Sequence, residues 1–101
     1  MNQKEKRLDE LLSKVKKVLP NLSVKYQIQT IEVFGSYVRG DAKEGSDLDL
    51  LVTFNRVPSL FQFVELENNL SDELGVKVDL VMKDSLKPTI GKRILEEAQP
   101  L

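Results

Sequence analysis

Two aspartates that alternate with apolar residues are the strongest chemical signal in this chain. Asp47 and Asp49 open the segment 47–54, Asp-Leu-Asp-Leu-Leu-Val-Thr-Phe, whose alternation predicts a β-strand with both carboxylates on one face. Residues two apart on a strand are about 6.5 to 7 Å apart, so two carboxylates can reach around a pair of cations roughly 3.5 to 4 Å apart. Asp79 repeats the pattern in segment 75–82 and completes a three-carboxylate cluster if the two strands are neighbours.

Carboxylates that converge in this way need a positive partner. Two unit charges about 5 Å apart repel by roughly 3 kcal/mol at an effective dielectric constant of about 20. The chain contains no histidine and no cysteine, so the available ligands are hard oxygens. Such ligands suit Mg²⁺, with Mn²⁺ as the alternative, and argue against zinc, copper or haem. We therefore expect Asp47, Asp49 and Asp79 to hold two divalent ions.

A glycine and a serine directly follow the next predicted strand upstream, Ile28–Phe34. Gly35 allows the backbone to approach an anion closely, the amides of a following helical turn point towards that anion, and the Ser36 hydroxyl can also donate. Arg39 can return to the same side as a planar charged donor, and Gly40 then allows the chain to leave the turn. The pattern predicts that Gly35, Ser36 and Arg39 bind the phosphates of a nucleotide.

The spacing of these residues resembles the minimal nucleotidyltransferases of the DNA polymerase beta superfamily. Their signature is Gly-Ser, ten variable residues and Asp-x-Asp, with a third aspartate on a later strand. Gly35-Ser36, the ten residues 37–46, Asp47-Leu48-Asp49 and Asp79 fit this signature without a gap, and the resemblance extends over nearly the whole chain. The resemblance implies a nucleotidyltransferase fold with a two-metal active site.

Small stand-alone members of this family are commonly encoded beside an all-helical ribonuclease toxin of the HEPN type and act as its antitoxin. The resemblance implies that this chain binds ATP, transfers AMP to a tyrosine of such a toxin, and forms a hetero-oligomer with it. The acceptor hydroxyl would attack the α-phosphorus and expel pyrophosphate. Asp47 and Asp49 would hold both ions, and Asp79 would hold the catalytic ion and take the proton. The partner would supply part of the acceptor site.

Two other functions remain open. A binding-only antitoxin would neutralise its toxin by occlusion, although a dead site normally shows a lost carboxylate and all three are present. A nucleotidyltransferase that modifies a small molecule such as an aminoglycoside would normally carry a second domain. Two residues near the motif also have alternative roles: Ser46 either contacts substrate or shapes the entry to the strand, and Tyr37 either touches the nucleotide or covers the short helix.

Length and composition limit the class of protein. The 101 residues predict one α/β nucleotidyltransferase-like domain over residues 1–101. A net charge of −1 creates no field that would recruit nucleic acid, so direct binding to a duplex is not expected. No apolar run could span a bilayer, and the absence of cysteine and of a targeting segment is compatible with a cytoplasmic location.

Hydrophobic periodicity predicts the order helix, strand, short helix, strand, helix, strand, helix, in which a small mixed sheet is flanked by helices. The first helix is expected over 5–19, where Pro20-Asn21 would end it, and the last over 86–98. The long central helix is expected over 60–74, from the N-cap Ser59 to the stop at Gly75. Its buried stripe would be Leu60, Phe63, Leu66, Leu70 and Leu74, whereas Phe61 falls off the stripe and is a candidate contact with a partner.

Overall fold

The computed structural model describes the backbone of residues 3–101 and the side chains from residue 8 onward. Helices and strands alternate along most of the chain. They are α1 (Gln3–Tyr26), β1 (Ile28–Phe34), α2 (Ser36–Arg39), β2 (Leu48–Phe54), α3 (Leu60–Leu74), β3 (Val78–Met82), a short 3₁₀ helix (Lys83–Ser85), α4 (Pro88–Glu97) and β4 (Gln99–Pro100). Every element in the predicted order is present, and the 3₁₀ helix and β4 are additions.

The strands form one four-stranded sheet in the order β3-β2-β1-β4. β2 pairs in parallel with β3, and β1 pairs antiparallel with β2 and with β4. The prediction of a small mixed sheet with flanking helices is therefore confirmed. The short edge strand β4 was missed because its two residues, one of them a proline, carry no alternating pattern.

The two faces of the sheet differ in chemistry because side chains alternate along each strand. Leu48, Leu50 and Val52 of β2 point towards the core that α1 and α3 cover. The opposite parity of β2 begins with Asp49, whose neighbours in the sheet are Phe34 of β1 and Asp79 of β3. We call this second side the carboxylate face.

An ion pair crosses part of the carboxylate face. The Nζ of Lys83, just after β3, donates to Oε1 of Glu32 on β1 at 3.0 Å, so the two side chains bridge the strands on either side of β2. Leu51, which lies on this face between them in the sheet register, is 1% exposed. The face is thus partly covered beside the aspartates and accessible at them.

The predicted end of the first helix was wrong. α1 continues through Pro20 to Tyr26, after which Gln27 leaves the helix with φ 58°. Proline removes one helical hydrogen bond, and the extra turns offset that cost because they bury Tyr26, whose hydroxyl accepts a 2.8 Å hydrogen bond from Asn69 of α3. Tertiary packing therefore overrides the local helix-breaking signal.

The bounds of α3 match the prediction. Ser59 forms a capping box with Gln62, and Gly75 ends the helix in the left-handed conformation with φ 70°. The predicted stripe was wrong at Leu60, which is 77% exposed because the first turn extends beyond the edge of the core. Leu66, Leu70 and Leu74 are buried and Phe63 is partly buried, while Phe61 is exposed as expected from its position on the helix.

The last helix is two residues shorter at its start than predicted and one shorter at its end, and it packs loosely. Gly91 is its one buried residue, and it lies against Leu86. Ile90 is 60% exposed and Leu95 is 46% exposed. Between residues 3 and 101, none of the helices has both the length and the apolar character that a bilayer crossing demands.

The continuation of α1 through Pro20 generates a stability prediction. Because Pro20 is exposed inside a helix, Pro20→Ala should restore a backbone hydrogen bond and raise the free energy of unfolding by about 2 kcal/mol. Urea unfolding followed by circular dichroism at 222 nm measures this change. A neutral or destabilising substitution would mean that the helix ends near Leu19 in solution.

Candidate active site

The carboxylates of the motif lie at the start of two adjacent strands. Asp49 and Asp79 are each the second residue of their strand, and they are direct partners in the parallel β2–β3 ladder. Neighbouring strands are about 4.8 Å apart, so this register brings the two backbones together as predicted. Asp47 lies one residue before β2 rather than inside it, beside the Leu48 amide that donates to the carbonyl of Lys77 at 2.8 Å.

The three carboxylates do not close around a common point. Among the side chains that the structure describes, from residue 8 onward, no group of three acidic, histidine or cysteine side chains is close enough to hold a metal ion. The three predicted ligands therefore lie on one face of the sheet without surrounding a common point. The Oδ2 of Asp47 instead lies 3.9 Å from the Nζ of Lys77.

The donor set nevertheless fits hard divalent cations. The carboxylates of Asp47, Asp49 and Asp79 offer oxygen atoms from adjacent backbone positions, and no thiol or imidazole competes with them. These ligands match the preferences of Mg²⁺ and Mn²⁺. Asp49 and Asp47 are partly buried and Asp79 is exposed, so all three remain accessible to solvent.

Crowding of negative charge changes the acidity of the central aspartate. Partial burial, followed by the charges of Asp79 and Asp47, raises the pKa of Asp49 to about 6. The Arg39 guanidinium opposes this effect by lowering the same pKa, and Glu97 adds to the increase. A cation bound beside Asp49 would therefore lower the pKa of this carboxyl again.

Gly35 brings the backbone directly against Asp49. Its φ of 82° and ψ of −153° lie in a region that is essentially restricted to glycine. A Cβ at this position would overlap the Asp49 carboxylate and lie 2.9 Å from its Cγ. Gly35 is thus required both for the turn from β1 into α2 and for close approach of the turn to the metal-ligand candidate.

The short helix α2 extends the turn, as predicted. The amides of Val38 and Arg39 donate to the Gly35 carbonyl at 3.1 Å, and Gly40 ends the helix in the left-handed conformation with φ 82°. The amides of Ser36 and the following residue have no acceptor within such a helix, because the first turn of any helix leaves its N–H groups free. Ser36 itself is half-buried at the start of this helix.

Arg39 is exposed at the rim of this turn and bonds two acidic groups. Its Nη1 donates to Oε1 of Glu97 at 2.9 Å, and its Nε donates to Oδ2 of Asp41 at 3.4 Å. The hydrogen bond with Glu97, more than that with Asp41, raises the pKa of the Arg39 guanidinium above its usual range. The guanidinium is charged and aimed into the site.

Glu97 is a residue of the site that sequence reasoning missed. Its Oε2 accepts a hydrogen bond from the Gly35 amide at 2.8 Å, while its Oε1 accepts the one from Arg39. Glu97 ends α4, and Gln99 two residues later pairs with Val33 of β1. The chain therefore returns to the Gly35 turn only through the edge strand β4, and no local sequence signal marks that return.

A cleft of about 540 Å³ contains these groups, a volume in the range of small-molecule sites. Gly35, Arg39 and Asp49 line its sheet side, and Ile90, Arg93 and Glu97 of α4 line the other. Asp47 and Asp79 are not part of this lining. The sequence did not single out Ile90, Arg93 or Glu97 as site residues, because they lie more than forty residues after the Asp-x-Asp motif.

The structure also assigns the residues near the motif whose roles were open. The Oγ of Ser46 accepts a 2.7 Å hydrogen bond from the Lys43 amide, and the Ser46 amide donates to the Lys43 carbonyl at 2.9 Å. Ser46 therefore shapes the turn before β2. Tyr37 is buried in the core, so it supports α2 from beneath.

The raised pKa of Asp49 predicts a dependence of stability on pH. Between about pH 4 and pH 6 the folded state keeps a proton that the unfolded chain, with an ordinary pKa of about 3.9, has lost. Asp49 therefore costs stability progressively as the pH rises through this window. Asp49→Asn should unfold like the wild type near pH 4 and exceed its free energy of unfolding by about 1 kcal/mol at pH 7, after discounting for solvent screening.

Urea titrations of both proteins at pH 4, 5, 6 and 7 in the absence of divalent ions measure this difference. A constant difference at all four values, or a less stable variant at pH 7, would contradict charge crowding at Asp49.

Comparison with known proteins identifies the family to which the chain belongs. The family described as nucleotidyltransferase domain matches residues 5–101. Protein adenylyltransferase MntA of Thermococcus cleftensis is 50% identical over 90 residues, which cover 89% of this chain and 91% of that protein.

Solved structures show the same fold. One described as a minimal nucleotidyltransferase superposes with a TM-score of 0.79 and 39% identity, over 93% of this chain and 95% of that chain. The MNT antitoxin bound to the tri-AMPylated HEPN toxin of Shewanella oneidensis superposes with a TM-score of 0.66, over 89% of this chain and 70% of the matched chain. At 22% identity this second match shows the fold alone. The family match and the half-identical relative show that the chain belongs to the nucleotidyltransferase domain family and is a protein adenylyltransferase.

Proposed function

We propose that this protein transfers AMP from ATP to a tyrosine hydroxyl of a cognate HEPN-type toxin, and thereby acts as its antitoxin. The observation that carries the proposal is the register of Asp49 with Asp79 beside the Gly35 turn, because it brings candidate metal ligands next to candidate phosphate donors. The half-identical MntA is a protein adenylyltransferase, and the S. oneidensis structure contains an AMPylated HEPN toxin. Both support this choice of acceptor class.

Phosphate binding is assigned to the turn between β1 and α2. The donors are the Gly35 amide and the Arg39 guanidinium, whose residues line the cleft, together with the amide and hydroxyl of Ser36, the first residue of α2. Charge-assisted hydrogen bonds of this kind are stronger than neutral ones, so Arg39 orients the triphosphate and Gly35 fixes its distance from Asp49. The remaining space under α4 accommodates the rest of the nucleotide.

Metal binding is assigned to Asp47, Asp49 and Asp79, with two Mg²⁺ ions as the expected cofactor. When bound, the ions neutralise the triphosphate and increase the acidity of the acceptor hydroxyl. Asp49 contributes the central ligand position, where proximity of a cation would return its pKa towards the ordinary range. Asp79 is exposed, so it is accessible to a hydroxyl group from a second protein.

The reaction is an in-line displacement at the α-phosphorus. The tyrosine oxygen forms a new bond to phosphorus while the bond from the α-phosphorus to the bridging oxygen breaks, and pyrophosphate leaves. Asp79 accepts the hydroxyl proton, and Arg39 stabilises the charge of the departing group. The acceptor comes from the partner protein, which therefore docks on the open side of the cleft in a hetero-oligomer.

The proposal predicts turnover. With ATP, Mg²⁺ and its cognate toxin, a small catalytic amount of the protein should add AMP units to a toxin tyrosine, visible by intact mass and by peptide fragmentation. Asp79→Ala should lower this rate by roughly 10²- to 10⁴-fold, because a proton acceptor and metal ligand is lost. Asp84→Ala, which removes an exposed acid of the neighbouring 3₁₀ helix, is the matched control and should retain the rate.

A binding-only antitoxin gives the opposite pattern. Neutralisation would then require equimolar protein, proceed without ATP, leave the toxin mass unchanged and survive Asp79→Ala. If the protein is an adenylyltransferase, modified toxin should stay inactive after the protein is removed, because a phosphodiester to a phenol persists when a non-covalent complex dissociates. Activity of the recovered toxin in a ribonuclease assay separates the two functions.

A further inference from the structure

The carboxylate of Glu97 accepts hydrogen bonds from two of the groups that the proposed function assigns to phosphate binding. One oxygen accepts a hydrogen bond from the Gly35 amide at 2.8 Å, and the other accepts one from Arg39 Nη1 at 2.9 Å. The side chain is 21% exposed, so much of it is withdrawn from water into the cleft. Its two oxygens therefore stand where an anionic ligand of Gly35 and Arg39 would place its own.

A nucleotide cannot use the Gly35 donor while Glu97 holds it. A backbone amide has one hydrogen, so the carboxylate and a phosphate oxygen exclude each other there. Their like charges also repel at this distance, and Asp49 on the opposite side of the same cleft adds a further negative charge. Binding of the triphosphate therefore requires Glu97 to leave.

The helix that carries Glu97 is lightly anchored. Of its ten residues only Gly91 is buried, and its apolar residues Ile90 and Leu95 are substantially exposed. The strand that follows pairs with β1 through two residues. Segments with few buried apolar contacts open at low free-energy cost, so the end of α4 can move without unfolding the domain.

We propose that Glu97 is an internal competitor of the nucleotide triphosphate, and that it sets nucleotide affinity by occupying Gly35 and Arg39 until the triphosphate displaces it. The inference rests on the proposed assignment of these two donors to phosphate. It makes Glu97 a positioning residue, because in the nucleotide-free protein it holds the cleft donors in place and satisfies their hydrogen bonds. Nucleotide binding is weakened because the triphosphate must first replace both hydrogen bonds of Glu97.

Titration calorimetry with the non-hydrolysable ATP analogue AMP-PNP and Mg²⁺ tests this inference. Glu97→Gln removes the charge and weakens the competing bonds, so it should tighten binding by about 3- to 30-fold. Glu96→Gln is the matched control, because it makes the same change one residue earlier on the exposed side of α4, and its affinity should equal that of the wild type. Adenosine, which has no phosphate, should bind both variants and the wild type equally.

Hydrogen exchange of the wild-type protein gives a second readout that does not depend on a variant folding. Binding of AMP-PNP with Mg²⁺ should slow exchange in peptides covering 34–40 and speed it in peptides covering 92–98. Weaker or unchanged nucleotide binding by Glu97→Gln, or slower exchange at 92–98, would overturn the inference and make Glu97 a structural brace. Failure of the wild type to bind AMP-PNP at all would instead overturn the proposed function.

Discussion

The parallel pairing of Asp49 with Asp79 is the constraint on which the rest of the site depends. The ladder brings two like charges together on adjacent strands, and Asp47, one residue before β2, adds a third. Because like charges repel, this proximity opposes folding, although solvent screens the repulsion at these partly exposed side chains. Partial burial and this crowding raise the pKa of Asp49 to about 6, and a divalent ion bound beside the carboxylates would reverse the sign of the interaction.

The same register fixes the phosphate side of the cleft. Phe34 of β1 is the antiparallel partner of Asp49, so the chain that leaves β1 must turn beside the carboxylate. Only glycine fits at that turn, because any Cβ at Gly35 would overlap Asp49. A slip of one residue in either ladder would carry the aspartates to the core face occupied by α1 and α3, where they could not remain charged. The apolar core thus specifies the position of the metal ligands.

Local signals in the sequence were sufficient for much of this architecture. The alternation around Asp47 and Asp49 predicted β2, and Ser59 and Gly75 predicted both ends of α3, because capping chemistry acts over four or five residues. Asp79 was expected beside Asp49 only if their two strands were neighbours, and the parallel pairing of β2 with β3 meets that condition. The fold class was therefore accessible from the pattern of polar and apolar residues.

Features that depend on contacts between distant residues could not be predicted from the sequence. Pro20 predicted a helix end, yet packing of Tyr26 against Asn69 of α3 extends α1 past it. Glu97 contacts Gly35 across 62 residues, through an edge strand of only two residues. Periodicity describes which side of an element faces the core, and it contains no information on which exposed side chain reaches another element. The second wall of the cleft was therefore visible only in three dimensions.

The most direct test of a joint metal and nucleotide site is the shift in melting temperature caused by Mg²⁺ and ATP together. A ligand that binds only the native state raises its stability by mass action, so the wild-type protein should melt at a higher temperature with both present than with either alone. The double variant Asp47→Asn, Asp49→Asn should fold and lose this synergy. An equal shift in the wild type and the double variant would contradict the assignment of the site to these carboxylates.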